Sequence, residues 1–597
     1  MTNKMEWTRR DFIKVMGSGI FLTGLNLTLP LPTWATTAFE GIQGIPSKKR
    51  YDLAIGHYSK MIDDRKGMFT AVNGTVPAPL IRLKEGDTVE LNVTNTLSDN
   101  SDTSIHWHGI LVPFQMDGVP GINFAGIKPG DTYHYKFSVK QAGTYWYHSH
   151  SRFQEQTGTY GPLVIDPKDG EPFAYDRDHF LVLSDWSFED PETLYRHINL
   201  MGGYYNFNKR TFPDFLSDIS EEGFKKTISH RMAWGKMRMS PVDIADVTGA
   251  TYTYLINGHS PMMNWTGLFR PGEVVRLRVI NASAMTSFDV RIPGLDMDIV
   301  MADGKAVMPV RAHEFRIGVA ETYDVLIRPQ KPEAFTVFAE SIDRSGFARA
   351  TLAPQPGMES TVPKMRKPIA RTLDDIGMGM MADMVFGGGM KHDEMADMDM
   401  GETMHDHHGM STSGMQQASL SEPTGPEPFS PVKGDPNVAM VIPNPKTRLS
   451  DPGIGLGDDG WKVLTYKDLI SAEPQVYKVT PDREITINIT ANMERYMFSF
   501  DGKKFTDHEG PYQFKHNERL RLYLVNHTMM EHPIHLHGMW MQLENGADKL
   551  PYKHTVLIKP GEVMSLLITP IEKGDWAFHC HLLYHMEAGM FQVVRVS

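Results

Sequence analysis

The sequence predicts an all-β chain built from three similar β-sandwich domains, and three observations carry that reading. Residues 86–95, 272–281 and 517–526 are ten-residue segments that alternate apolar and polar side chains and close on Asn, the period-two pattern of a half-buried strand. A turn dipeptide follows a β-rich run shortly before each of them, at Asn73-Gly74, Asn257-Gly258 and Asp501-Gly502, which marks a hairpin. Helical periodicity is confined to roughly 186–225, which argues against a sheet of alternating strands and helices.

A chain of 597 residues exceeds what a single hydrophobic core supports, so several domains are expected. The repeat places them at 45–168, 175–355 and 436–597. Residues 1–38 hold Thr8-Arg9-Arg10-Asp11-Phe12 followed by an apolar stretch broken by Gly17, Gly19, Gly24 and Pro30. That arrangement resembles a twin-arginine export signal, and implies the twin-arginine export machinery as a partner and a periplasmic destination. No later segment is apolar for long enough to span a bilayer, so no membrane span is expected in the mature protein. A net charge of -12 and a pI near 6.1, without clustered Lys and Arg, exclude a nucleic-acid partner.

Chemistry concentrates in the first and third repeats. Four His-x-His pairs occur, His106/His108, His148/His150, His535/His537 and His579/His581, and the second repeat has none. On a strand, residues i and i+2 face the same side, so each pair aims two imidazoles at one point. An isolated pair is most often a core or surface histidine, but eight imidazoles tied to an internal repeat suffice for a cluster of several metal ions. Aligning Lys128-Pro129-Gly130 with Lys559-Pro560-Gly561 puts Ser149 where Cys580 stands, Gln154 where His585 stands and Thr159 where Met590 stands. Thiolate, imidazole and a weak thioether are the donors of a blue copper electron-transfer site, with His532 as the second histidine. Zinc is the alternative metal, yet a structural zinc site needs only four ligands. Alternation points Cys580, the one cysteine in the chain, to one side of its strand, and His579 and His581 to the other.

Taken together, His106-Trp107-His108-Gly109, Tyr147-His148-Ser149-His150, His532-Pro533-Ile534-His535-Leu536-His537-Gly538 and the run from His579 to Met590 resemble the four copper signatures of three-domain multicopper oxidases. The arginine pair, the stretch Arg231-Met232-Ala233-Trp234-Gly235-Lys236-Met237-Arg238-Met239 and a Met-rich insertion look most like the copper-resistance protein A type. The resemblance implies three cupredoxin-like Greek-key domains, four copper ions and reduction of dioxygen to water. It assigns His532, Cys580, His585 and Met590 to a type 1 copper, and His106 and His535 to a type 2 copper. It assigns His108, His148, His150, His537, His579 and His581 to a type 3 pair. Asp117 resembles the family's proton-relay position, although an Asp-Gly pair is also a common turn. Glu587 stands one residue beyond the place where some members carry a carboxylate after the ligand His585, and on a regular strand it would face away.

Residues 356–435 read as a Met- and His-rich low-complexity linker. Eleven methionines lie between Met378 and Met415, and Met378, Met380, Met381, Met384, Met395, Met398, Met400, Met404, His405, His407 and His408 are candidates to hold substrate copper, since thioethers favour Cu(I). The reading that follows is an oxidase that couples Cu(I) oxidation to dioxygen reduction, with periplasmic copper-binding proteins as possible partners. A laccase-like oxidase of phenols and a periplasmic copper-sequestering protein are the alternatives.

Overall fold

A computed structural model describes residues 41–379, 425–478 and 480–597. The export-signal segment and all but the first of the candidate copper-binding methionines and histidines between Met378 and His408 lie outside the described residues.

Three two-sheet sandwiches follow one another along the chain. The first pairs a sheet ordered 65–72, 50–62, 88–95, 132–138 with one ordered 81–84, 160–166, 143–148, 106–108. In the second sandwich both sheets have six strands, and in the third one sheet has six and the other five, while the centre keeps the same plan. Each repeat strand, Thr88–Asn95, Val275–Asn281 and Leu520–Asn526, lies parallel to the first long strand of its domain and antiparallel to a later one.

The Asn that closes each repeat strand is fully buried and performs the same task three times. Asn95 donates to the carbonyls of Ser101 and Ile127, Asn281 to those of Thr286 and Ile317, and Asn526 to those of Met530, Ile558 and Lys559. Each side-chain oxygen accepts the backbone N–H two residues on. Loop backbone that would otherwise be buried without partners is thereby satisfied. The three turn dipeptides adopt positive φ at both positions, for example 51° at Asn257 and 70° at Gly258, as a type I′ turn requires.

The predicted helical region is an insertion of three helices in the second sandwich, Pro191–Leu200, Phe212–Glu222 and Phe224–Met237. Asp190 caps the first through the N–H of Thr193, and Thr211 with Asp214 forms a capping box on the second. Gly223, at φ 85°, separates the second from the third.

Two expectations need correction. The stretch 356–435 is not all linker, because Leu373, Ile376 and Met378 are buried in the main core. These apolar side chains anchor an otherwise polar stretch. Met378, a candidate copper ligand, therefore occupies a packing position. The third unit also does not separate cleanly at 436, since Val463–Leu464 adds a parallel strand to the second sandwich against Glu314–Ile317.

Replacing Asn281 removes the partner of two buried carbonyls and one N–H. Asn281→Ala is expected to destabilise the second sandwich by about 3 kcal/mol, measured by urea unfolding of the metal-free protein. A loss below about 0.5 kcal/mol, the scatter of neutral surface changes, would show that the repeated Asn is incidental.

Candidate metal centre

The His-x-His pairs lie on short strands or straddle their ends, at His148, Leu536 and Cys580, and these strands pair within their own sheets. His106 stands opposite His148 in the first sandwich, and His535 opposite His579 in the third. Period-two alternation turns both imidazoles of each pair to one side, and the two sandwiches face each other there. Rings from different domains come into contact, with centroids 3.9 Å apart for His106 and His537 and 3.8 Å for His108 and His535. Nε2 of His537 lies 3.0 Å from Nε2 of His579. The second sandwich contributes no imidazole to this cluster.

Five of these rings are held from outside. His106 Nδ1 donates to the carbonyl of Asp117 at 2.8 Å, and His537 Nδ1 meets Asp117 Oδ2 at 2.9 Å. Asp117 thus joins a ligand candidate of each sandwich. His148 Nδ1 contacts Glu155 at 2.7 Å, His535 Nδ1 donates to the carbonyl of His554 at 2.7 Å, and His579 Nδ1 to that of Cys580 at 2.9 Å. A ring that donates from Nδ1 while neutral keeps a lone pair on Nε2. In His106, His148, His150 and His535 that inward Nε2 is buried with no hydrogen-bond partner.

A buried, unpartnered polar atom costs about 1–3 kcal/mol, so several converging on one volume call for a shared partner. Ligand atoms of His150, His537 and His579 lie within 4.8 Å of one another, as do those of His106, His535 and His537 and those of His106, His108 and His148. Burial also lowers the pKa of these rings, for His579 to about 4 and for His108, His148, His150, His535, His537 and His581 well below the ordinary value. They are neutral at physiological pH, the form that binds a metal. The donor set fits several metal ions at the interface of the first and third sandwiches.

A second, smaller group lies on the other side of the same strand. Cys580 Sγ is 3.6 Å from His532 Nδ1 and 3.8 Å from His585 Nδ1, and the two Nδ1 atoms are 3.3 Å apart. All three residues and Met590 are fully buried. Met590 is tied to the group through its backbone, donating to His585 and accepting from Cys580. Burial pushes the Cys580 thiol up, so a bound cation is what would draw off its proton. The outer nitrogens are again occupied, His532 Nε2 by Thr528 Oγ1 at 2.7 Å and His585 Nε2 by Asp246 Oδ2 at 2.7 Å. His585 lies on the short helix Leu583–Glu587 rather than on a strand. That helical turn leaves Glu587 exposed and away from the histidine cluster.

Sequence reasoning missed Glu155, Asp246, Asp303 and His554. Glu155 is buried beside His148, and desolvation raises its pKa well above the usual carboxylate range. Desolvation likewise raises the pKa of Asp246, to about 7. A buried carboxylate five residues after His150 was a usable signal. Asp246 and Asp303 reach the site from the second sandwich, a placement that no local spacing reveals.

The lowered histidine pKa values fix the sign of a pH effect on the metal-free protein. His554 and His579 fall to about 4 and His585 to about 3, against about 6.5 when unfolded. The unfolded chain therefore binds more protons below pH 6.5, and stability present above that pH is lost as it falls toward 4. By pH 5 the loss is on the order of 2 kcal/mol for each such ring. Thermal melts of the metal-free protein are expected to drop steeply between pH 7 and 5; a flat profile would contradict the buried neutral cluster.

Comparison with known proteins agrees with the geometry. Profiles described as multicopper oxidase match residues 57–170, 177–357 and 478–597. The chain is 47% identical to a copper resistance protein A homolog of Pseudomonas syringae pv. tomato, covering 99% of each chain. It is also 47% identical to copper resistance protein A of Escherichia coli, covering 99% of this chain and 100% of the relative. The solved structure of Fet3p, a multicopper oxidase that functions in iron import, shares the fold with a TM-score of 0.61 and 18% identity, covering 92% of this chain and 90% of that one. A laccase from Botrytis aclada does so with a TM-score of 0.56 and 17% identity, covering 92% and 88%. With its three cupredoxin-like sandwiches and copper-dependent oxidase chemistry, the chain belongs to the multicopper oxidase family.

Proposed function

We propose that this oxidase takes Cu(I) as its reductant and serves copper resistance in the periplasm, reached by twin-arginine export. The names of its 47%-identical relatives and the methionine-rich stretch after Met378 support that substrate. The observation that carries the reading is the strand ending at Cys580. Its thiol joins His532 and His585, while the adjoining His579 and His581 join the interface cluster. One tripeptide is a covalent path between a reductant site and a dioxygen site.

In this reading His532, Cys580, His585 and Met590 hold a type 1 copper, and His106 and His535 a type 2 copper. His108, His148, His150, His537, His579 and His581 hold a type 3 pair. When bound, the four coppers supply one-electron oxidation of the reductant and four-electron reduction of dioxygen to water. The protein supplies the rest. Asp117 and Glu155 fix the tautomers of His106, His537 and His148, so each ring presents a lone pair inward. Asp246, accepting from His585 and from Tyr496 Oη at 2.9 Å, fixes the His585 ring so that its Nδ1 faces Cys580. Asp117, buried against both sandwiches, is placed to carry protons that dioxygen reduction consumes.

Two measurements test this reading. Asp117→Ala is expected to lower dioxygen turnover by about a hundredfold, within the range for a proton-transfer group; unchanged turnover at full copper content removes Asp117 from that role. Dioxygen uptake by the copper-loaded protein is then compared for Cu(I) and a simple phenol, with and without residues 381–424, a deletion that spares the buried Ile376 and Met378. Faster turnover of Cu(I), lost selectively in the deletion, is the expected result. Phenol turnover without preference for Cu(I) would make the protein laccase-like, and copper binding beyond four ions without uptake would make it a sequestering protein.

A further inference from the structure

His108 is turned the other way from its neighbours. In His106, His148 and His535 the outer nitrogen is Nδ1 and the unpartnered inner one is Nε2. In His108 the unpartnered atom is Nδ1, while Nε2 points outward, 3.2 Å from His554 Nδ1 and 3.2 Å from Thr555 Oγ1. An imidazole that offers Nδ1 to a metal carries its proton on Nε2, and here that nitrogen faces His554 Nδ1 and Thr555 Oγ1 as acceptors. Thr555 Oγ1 itself lies 3.1 Å from His554 Nδ1, so a proton chain through the hydroxyl also ends on that atom.

The surroundings are built for this residue. A Cβ on Gly109, which sits at φ 82°, would come within 2.4 Å of the His554 ring, so the glycine closing the His106-Trp107-His108-Gly109 segment makes room for it. Asp303, fully buried in the second sandwich, accepts the backbone N–H groups of both His554 and Thr555 at 3.1 and 3.2 Å. Lys553 Nζ holds Asp303 at 3.1 Å and Glu321 at 2.6 Å, and Tyr466 donates to Glu321 at 2.6 Å. A buried charged group of this kind is rigid because loss of any member strands the others.

We propose that His554 is a positioning residue for dioxygen reduction: its Nδ1 is the acceptor that keeps His108 presenting Nδ1 to the cluster, and Asp303 of the second sandwich fixes where His554 stands. The inference rests on the ligand reading given above. Its test uses the copper-loaded full-length protein, because the blue absorption of the Cys580 site reports folding and loading independently of the interface cluster.

His554→Phe keeps the ring volume and removes the acceptor. It is expected to retain the blue absorption, weaken the near-ultraviolet band of the type 3 pair, render type 3 copper visible by electron paramagnetic resonance, and lower dioxygen turnover at least tenfold, the usual cost of losing an outer partner of a ligand. His554→Gln, whose side-chain carbonyl can accept from His108, restores most of both signals. Thr555→Val leaves the direct contact and changes little. Native type 3 signals and turnover in His554→Phe, or in His554→Leu should the first variant fail to fold, overturn the proposal, as does a loss seen in Thr555→Val but not at His554. A wild-type protein with blue absorption but no type 2 or type 3 signals would overturn the ligand reading and this proposal together.

Discussion

Period-two alternation along the strand that ends at Cys580 is the constraint on which the rest depends. Neighbouring side chains of a strand must face opposite ways, so a cysteine between two histidines cannot share their site. The register of this strand against His532–Leu536, with Ile534 opposite Cys580 and His535 opposite His579, passes the same division to its partner. His532 goes with the thiol, and His535 and His537 go with the interface. Two sites of different chemistry are therefore held at a fixed separation by two paired strands inside a five-stranded sheet.

The second constraint is the cost of burying imidazole nitrogens. His106, His148 and His535 donate outward while their inward nitrogen stays unpartnered, and this arrangement is sustainable only where folding energy elsewhere offsets it. The second sandwich, which has no His-x-His pair, shares in that support. Asp246 reaches His585, and Asp303 reaches the backbone beside His535. It also carries the helical insertion and receives the strand Val463–Leu464 from the later chain, so it clamps the two sandwiches whose interface forms the cluster.

What was legible in the sequence was what repeats or alternates locally. The Asn-closed strands, the turn dipeptides and the four histidine pairs each carry their meaning within ten residues; the structure places the first two in the same positions of all three sandwiches and the histidine pairs in the first and third. The group around Cys580 was readable because the first repeat supplied a register against which His585 and Met590 stood out. His554, Asp246 and Asp303 were not readable, since each acts through a partner far away in the chain, such as His108, which lies 446 positions from His554. Short apolar anchors at Leu373 and Ile376 were hidden for a different reason, because a polar stretch masks two buried side chains. Glu587 was judged on strand geometry, whereas the chain there turns into a short helix.

Whether the His579-Cys580-His581 tripeptide joins two copper sites of different kinds is tested by copper-loaded Cys580→Ser. The blue absorption is expected to disappear, type 2 and type 3 signals to persist with three coppers per chain, and dioxygen uptake from any one-electron donor to be lost. Retained uptake, or the loss of the type 2 and type 3 signals together with the blue band, would contradict that link.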